Sequence, residues 1–181
     1  MVPVLETDRL LLKPRSLDDF TACLAMDRDP AVTHHVAGPW DDPDAHRAFL
    51  RDRMTTDFGP GLGYWSLFPK ASAETFIGWI LLIPCAGIGP EIEIGWRLVQ
   101  SAWGKGYASE AAQAVVRHAF ETAGLQRIIA DIRPDNVASI RVAEKAGLIF
   151  RGDGVCDGAP CKSYDLTAEE YRCQHGLRKA L

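Results

Sequence analysis

The residues best suited to chemistry lie where an apolar strand pattern gives way to a long helical one, at Trp103-Gly104-Lys105-Gly106-Tyr107-Ala108-Ser109. A Gly-x-Gly turn there lets the backbone approach a ligand closely, and it gathers several N–H groups and the positive end of a helix around one point. That arrangement suits a phosphate or pyrophosphate. A tight strand-to-helix connection that binds nothing is the plainer alternative.

A second run, Asp135-Asn136-Val137-Ala138-Ser139, is a polar start to another helix, with Asn136 as its N-cap. A third, Glu91-Ile92-Glu93-Ile94, alternates so that both carboxylates share one face of a strand.

Two nucleotide chemistries compete for the glycine loop. A dinucleotide-dependent oxidoreductase would use Gly104 and Gly106 as phosphate-binding glycines and Asp131, near the end of the next strand, as the ribose ligand. Its third glycine position is occupied by Ser109, however, and too few residues follow for the usual six-stranded sheet. A nucleoside triphosphatase loop requires GxxxxGK followed by Ser or Thr, and the chain has none.

Taken together and in order, EIGWRL, WGKGYASEA and NVASIRVAEKAGL resemble the motifs of the GCN5-related N-acetyltransferases. The likeness extends to the opening LETDRLLLKPRSLDDF and is nearest to the branch that includes the ribosomal-protein N-terminal acetyltransferases; residues 32–70 are the least similar. It implies an α/β (α+β) fold of the family type: a mixed, mostly antiparallel sheet of six to seven strands, splayed near the cofactor and flanked by helices.

The resemblance also implies a reaction and a set of roles. Acetyl-CoA would be the co-substrate, and its acetyl group would pass directly to a primary amine within a ternary complex. Leu98 and Val99 would offer backbone groups to the pantetheine arm, and Gly104, Lys105, Gly106, Tyr107, Ala108 and Ser109 would hold the pyrophosphate. Asn136 and Ser139 would lie along the cofactor. A backbone N–H at the splay would stabilise the oxyanion, a contribution of about 3 kcal/mol.

Two positions depart from the family pattern. Ser101 stands where the loop usually begins with Gln or Arg, and Gln100 is displaced by one. Ala143 stands where many members carry a tyrosine that protonates the leaving thiolate, so Ser139 is the candidate donor in its place. Glu93, nearest the splay, is the candidate base, acting through water, with a carboxylate on a solvated strand face the equal alternative. A base matters more for a lysine acceptor than for an α-amine, which is already roughly a tenth neutral at pH 7.

Trp40, Trp65, His34 and His35 could build a pocket around the acceptor, and Asp41, Asp42 and Asp44 could attract a cationic amine, but helix-start carboxylates and surface histidines are the favoured reading. The acceptor would be a protein N-terminus or a small-molecule amine. No metal is expected. A non-catalytic acyl-CoA sensor on the same fold is the second reading, permitted by the missing tyrosine.

Composition sets the wider frame. A chain of 181 residues with 47% hydrophobic and 24% charged residues can bury one substantial core, so a single domain over 1–181 is expected. The formal net charge of -4 and the scattered Lys and Arg argue against a nucleic-acid partner. Five cysteines without a CxxC pair suit a reducing compartment, and no long apolar run suggests a membrane span, so a cytoplasmic protein is expected. Cys156 and Cys161 are close enough to meet across a hairpin, with simple packing the favoured reading. A homodimer is left open.

The elements that must position these residues can be read from periodicity and caps. Residues 8–15 read as a strand, and Ser16 caps a helix from Leu17 to Met26. Pro43 opens a second helix. Strands follow at Tyr64 to Phe68, Thr75 to Pro84 and Glu91 to Val99. A long helix then runs from Gly106 to Ala123, a strand from Arg127 to Ile132 and a helix from Val137 to Ala146. Leu148 to Arg151 and Cys161 to Leu166 form a last strand pair, and Thr167-x-x-Glu170 is a capping box for a terminal helix.

Overall fold

The computed structural model describes residues 2–156 and 158–177. Two short antiparallel strands, β1 (Leu5–Glu6) and β2 (Leu10–Pro14), lead into a capping box at Ser16 and Asp19 that starts a single 3-10 turn, Leu17–Asp19, running on into α1 (Phe20–Asp27). Asp29 caps the single turn of α2 (Pro30–Thr33), and Asp42 caps α3 (Pro43–Thr55) by accepting from the N–H groups of Asp44 and Ala45. Pro30 and Pro43 fit these first turns because proline lacks the N–H that a helix start leaves unpaired.

The sheet continues with β3 (Gly63–Pro69), β4 (Gly78–Pro84) and β5 (Ile92–Leu98). Next come α4 (Tyr107–Arg117), extended by a wider turn at His118–Thr122, then β6 (Arg127–Ile132) and α5 (Val137–Lys145). The chain closes with β7 (Ile149–Cys156), β8 (Ala159–Thr167) and α6 (Ala168–Gln174), whose Thr167 and Glu170 form the expected capping box. The strand order is β1-β2-β3-β4-β5-β6-β8-β7, and β5 and β6 run parallel.

The α/β class is as expected, but the sheet has eight strands rather than six or seven. The additional strand, β1, is only two residues long, too short to display an alternating pattern. The hairpin strands β7 and β8 also run longer than expected, and their ends are joined by a Cys156–Cys161 disulfide where packing had been favoured.

Each face of the sheet carries a core. On one, α4 presents Ala111, Ala112, Val115 and Val116 to Leu67, Ile80, Leu82, Ile94 and Ile128. The alanines bring the helix backbone close to the sheet, and each fully buried valine contributes about 1.5–3 kcal/mol relative to exposure. On the other, Cys23, Leu24 and Met26 of α1 and Leu50 of α3 cover Trp79, Leu81 and Ile83 of β4. Because Ile92, Ile94 and Leu98 pack in the α4 core, the intervening Glu93, Gly95 and Arg97 belong to the α1 and α3 face. Among the described residues, no helix is long and apolar enough to cross a membrane.

Candidate active site

β5 and β6 register at a single pair, Glu93 with Ile129, and then part. On its other side β5 stays paired with β4 along its whole length, from Ile92 opposite Pro84 to Leu98 opposite Gly78. The Val99 N–H donates to the Ile77 carbonyl at 3.1 Å, and the Cys85 N–H donates to the Glu91 carbonyl at 2.8 Å. Odd-numbered residues therefore bond to β4, so Ile92 and Ile94 make the bonds to Ile129 on β6 and the backbone groups of Trp96 and Leu98 face the gap beyond.

Of the two residues expected to offer backbone to a cofactor, Leu98 faces this gap. Val99 does not: its N–H is spent on Ile77, and its carbonyl accepts from Ala102 at 3.0 Å. Trp96 occupies the second gap-facing position, and strand alternation alone would have shown this once one β4 bond was known. The Leu98 carbonyl accepts from the Trp103 indole at 2.8 Å, a bond that uses one of its two lone pairs.

Gly104 and Gly106 both adopt left-handed backbone, with φ of 71° and 80°. Gly106 is the N-cap of α4 and supplies no side-chain acceptor, so the first-turn N–H groups at Tyr107, Ala108 and Ser109 are left without a side-chain cap. Lys105 is exposed, and its carbonyl accepts from Arg9 Nη1 at 3.0 Å. Arg9 also pairs with Glu110 at 2.6 Å and lies 4.8 Å from the Tyr107 ring centre. Burial works to raise the Glu110 pKa, but hydrogen bonds from Thr7 and Arg9 outweigh it and lower the carboxyl below its ordinary value. This brace of the loop by Arg9 was missed in the sequence because no local pattern links β2 to residues 105–110.

Across the gap, Asn136 Oδ1 accepts from the Ser139 N–H at 3.1 Å, so the N-cap role of Asn136 is realised. Its amide N–H groups are still available as donors. Ser139 Oγ accepts from Trp96 Nε1 at 3.3 Å, which ties α5 to β5 where the strands separate. Ala143 is fully buried in the core beneath α5.

Glu93 lies on the opposite side of β5 from Ser139. A Cβ built on Gly95 would come 3.5 Å from Glu93 Oε1 and 3.4 Å from the Leu81 side chain, which belongs to the α1 and α3 face. Near it, burial pushes the Tyr64 hydroxyl pKa up; Arg15 and Arg53 oppose that rise, and Glu93 adds to it. The same face holds a buried charged cluster that the sequence did not suggest: Arg97 Nη1 to Asp27 Oδ1 at 2.7 Å, and His46 Nε2 to Asp27 Oδ2 at 3.4 Å. The Trp40 ring covers Arg97 at 4.9 Å and meets His46 edge-on at 5.2 Å.

The residues offered for an acceptor pocket thus separate. Trp65 is wholly buried in the α4 core, where its indole donates to the Pro3 carbonyl, so it lines no acceptor pocket. Asp42 is engaged as the cap of α3. His34 and His35 lie beside Asp135, the residue preceding Asn136, with His35 Nδ1 3.5 Å from Asp135 Oδ1.

Known proteins share this architecture. Residues 9–149 match the acetyltransferase (GNAT) domain. The chain is 48% identical over 147 residues to the uncharacterized N-acetyltransferase YnaD of Bacillus subtilis, covering 81% of this chain and 82% of that one. It is 32% identical over 155 residues to the FsC-acetyl coenzyme A-N(2)-transacetylase of Aspergillus fumigatus, covering 81% of this chain but only 65% of the longer fungal protein. The crystal structure of an acetyltransferase from Agrobacterium tumefaciens superposes with a TM-score of 0.76 at 30% identity, over 92% of this chain and 95% of the other. The chain belongs to the acetyltransferase (GNAT) family, the acetyl-CoA-dependent N-acetyltransferases.

Proposed function

We propose that the protein transfers the acetyl group of acetyl-CoA directly to a primary amine in a ternary complex, as a single-domain member of the ribosomal-protein N-terminal acetyltransferase branch. The observation that carries this reading is the gap between β5 and β6, bordered by free strand backbone on one side and by Ser139 on the other. The pantetheine arm lies against the backbone of Trp96 and Leu98, with the Asn136 amide donating to it. The pyrophosphate sits on the N–H groups from Lys105 to Ser109, at the positive end of α4.

In the reaction, the neutral amine nitrogen bonds to the thioester carbonyl carbon, and the carbonyl oxygen takes up negative charge. A gap-facing N–H of β5 stabilises that oxyanion, at about 3 kcal/mol. The proton lost by the amine passes through water to Glu93. Collapse of the intermediate breaks the carbon–sulfur bond, and the departing thiolate takes the hydroxyl proton of Ser139 and leaves as CoA thiol, while the serine regains a proton from solvent. Glu93 and Ser139 lie on opposite faces of β5, which supports an amine arriving from the α1 and α3 side while the sulfur leaves on the α5 side.

The test is to supply acetyl-CoA with a panel of N-terminal peptides, polyamines and aminosugars and to follow free thiol and acetylated product together. The reading predicts stoichiometric thiol and N-acetyl product with at least one amine. Tight acetyl-CoA binding with no thiol released on any amine would favour the non-catalytic sensor.

A further inference from the structure

His34 and His35 follow the last turn of α2, and Asp135 opens the turn between β6 and α5, a hundred residues away along the chain. The fold brings one ligand atom from each to within 4.8 Å of the others. The two imidazoles meet edge to face with centres 4.7 Å apart. His34 and Asp135 are exposed and His35 is half-buried, so the group opens to solvent.

Two imidazoles and one carboxylate form a donor set of borderline softness, which favours Zn²⁺, Co²⁺, Ni²⁺ or Cu²⁺ over Mg²⁺ and Ca²⁺. With metal–ligand distances of about 2.0–2.1 Å, neighbouring ligands of a tetrahedral ion lie about 3.3 Å apart. The His35–Asp135 separation of 3.5 Å already matches that edge. Rotation of the exposed His34 ring closes the remaining distance, and solvent supplies the fourth position.

We propose that His34, His35 and Asp135 bind one divalent transition ion, with Zn²⁺ the physiological candidate. Asp135 immediately precedes Asn136, whose side chain caps the helix that carries Ser139. An ion here therefore clips the segment after α2 to the turn that begins α5. It acts as a regulatory brace at the edge of the gap and takes no part in acetyl transfer. Binding is independent of the roles proposed for Glu93 and Ser139, so its success or failure is separable from theirs.

Titration of the whole protein with Co²⁺, followed by visible absorption, tests the site, with Zn²⁺ used to displace the Co²⁺. One ion per chain is expected, with the d–d bands of nitrogen and oxygen ligation and no thiolate charge-transfer band. His35→Ala and Asp135→Asn should each weaken binding at least about tenfold. Circular dichroism establishes that each variant folds, and Asp135→Asn alone decides the matter if His35→Ala does not. Absence of binding, affinity unchanged in Asp135→Asn, or a thiolate band tracing the ion to Cys85 or Cys173 would overturn the proposal.

Discussion

Trp96 Nε1 donates to Ser139 Oγ at 3.3 Å across the point where β5 and β6 part. Because that oxygen accepts from the indole, the serine proton is free to be donated elsewhere, as a leaving thiolate requires. Ser139→Ala should lower kcat by about 10²-fold, within the usual range for losing a positioned proton donor, while acetyl-CoA affinity changes little. Trp96→Phe keeps the ring and removes the donor, so a smaller loss is expected. Steady-state kinetics with separate cofactor titrations checks both; equal turnover in Ser139→Ala would reduce the serine to its capping neighbourhood.

Gly106 combines a φ of 80° with close approach to Arg9, whose Nη2 would lie 3.3 Å from an added Cβ. In Gly106→Val the left-handed backbone costs about 1–2 kcal/mol, and the added side chain intrudes on the expected phosphate site. Acetyl-CoA affinity, read by calorimetry, should fall more than tenfold while the chain still folds. Unchanged affinity would remove the pyrophosphate from this loop.

Asp27 is 2% exposed and holds Arg97, itself 8% exposed, in the interior. Asp27→Asn leaves the guanidinium buried without its counter-charge, which should cost about 3 kcal/mol of stability. Urea unfolding measures this. A loss below about 1 kcal/mol would mean that Trp40 and Trp79, which lie 4.9 and 5.0 Å from the Arg97 guanidinium, carry the cation largely by themselves.

Glu170 is held at a pKa of about 2 by its bond from Arg151 first, then by the backbone and side chain of Thr167. Its folded value lies below the unfolded one, so the stabilisation is fully present above about pH 5 and disappears as pH falls toward 2. The thermal midpoint of Glu170→Gln should therefore lie below that of the wild type at pH 7, and the two should converge near pH 2. Salt should shrink the difference, since the pair is largely exposed. A gap that stays constant with pH would assign the effect to the neutral capping contacts.

The signals legible in the sequence were those that act over a few residues. Ser16, Asn136 and Thr167 each satisfy backbone N–H groups within three positions, and all three cap as their spacing implies. Glycines at 104 and 106 were readable for the same reason, since a turn needing positive φ selects them locally. Trp65 and Val99 were misread because their surroundings are set from elsewhere. Trp65 turns into the core with its face of β3, and Val99 bonds to β4 instead of opening to the gap.

The family and a glycine loop at a helix start could be read along the chain, because periodicity, caps and ordered motifs are properties of neighbouring residues. The folded packing alone sets which backbone groups border the gap, that Glu93 and Ser139 stand on opposite faces of β5, and that Asp27, His46 and Arg97 share one buried cluster. These relationships join residues far apart in the chain, and they arise only when sheet register and two-sided packing bring the elements together.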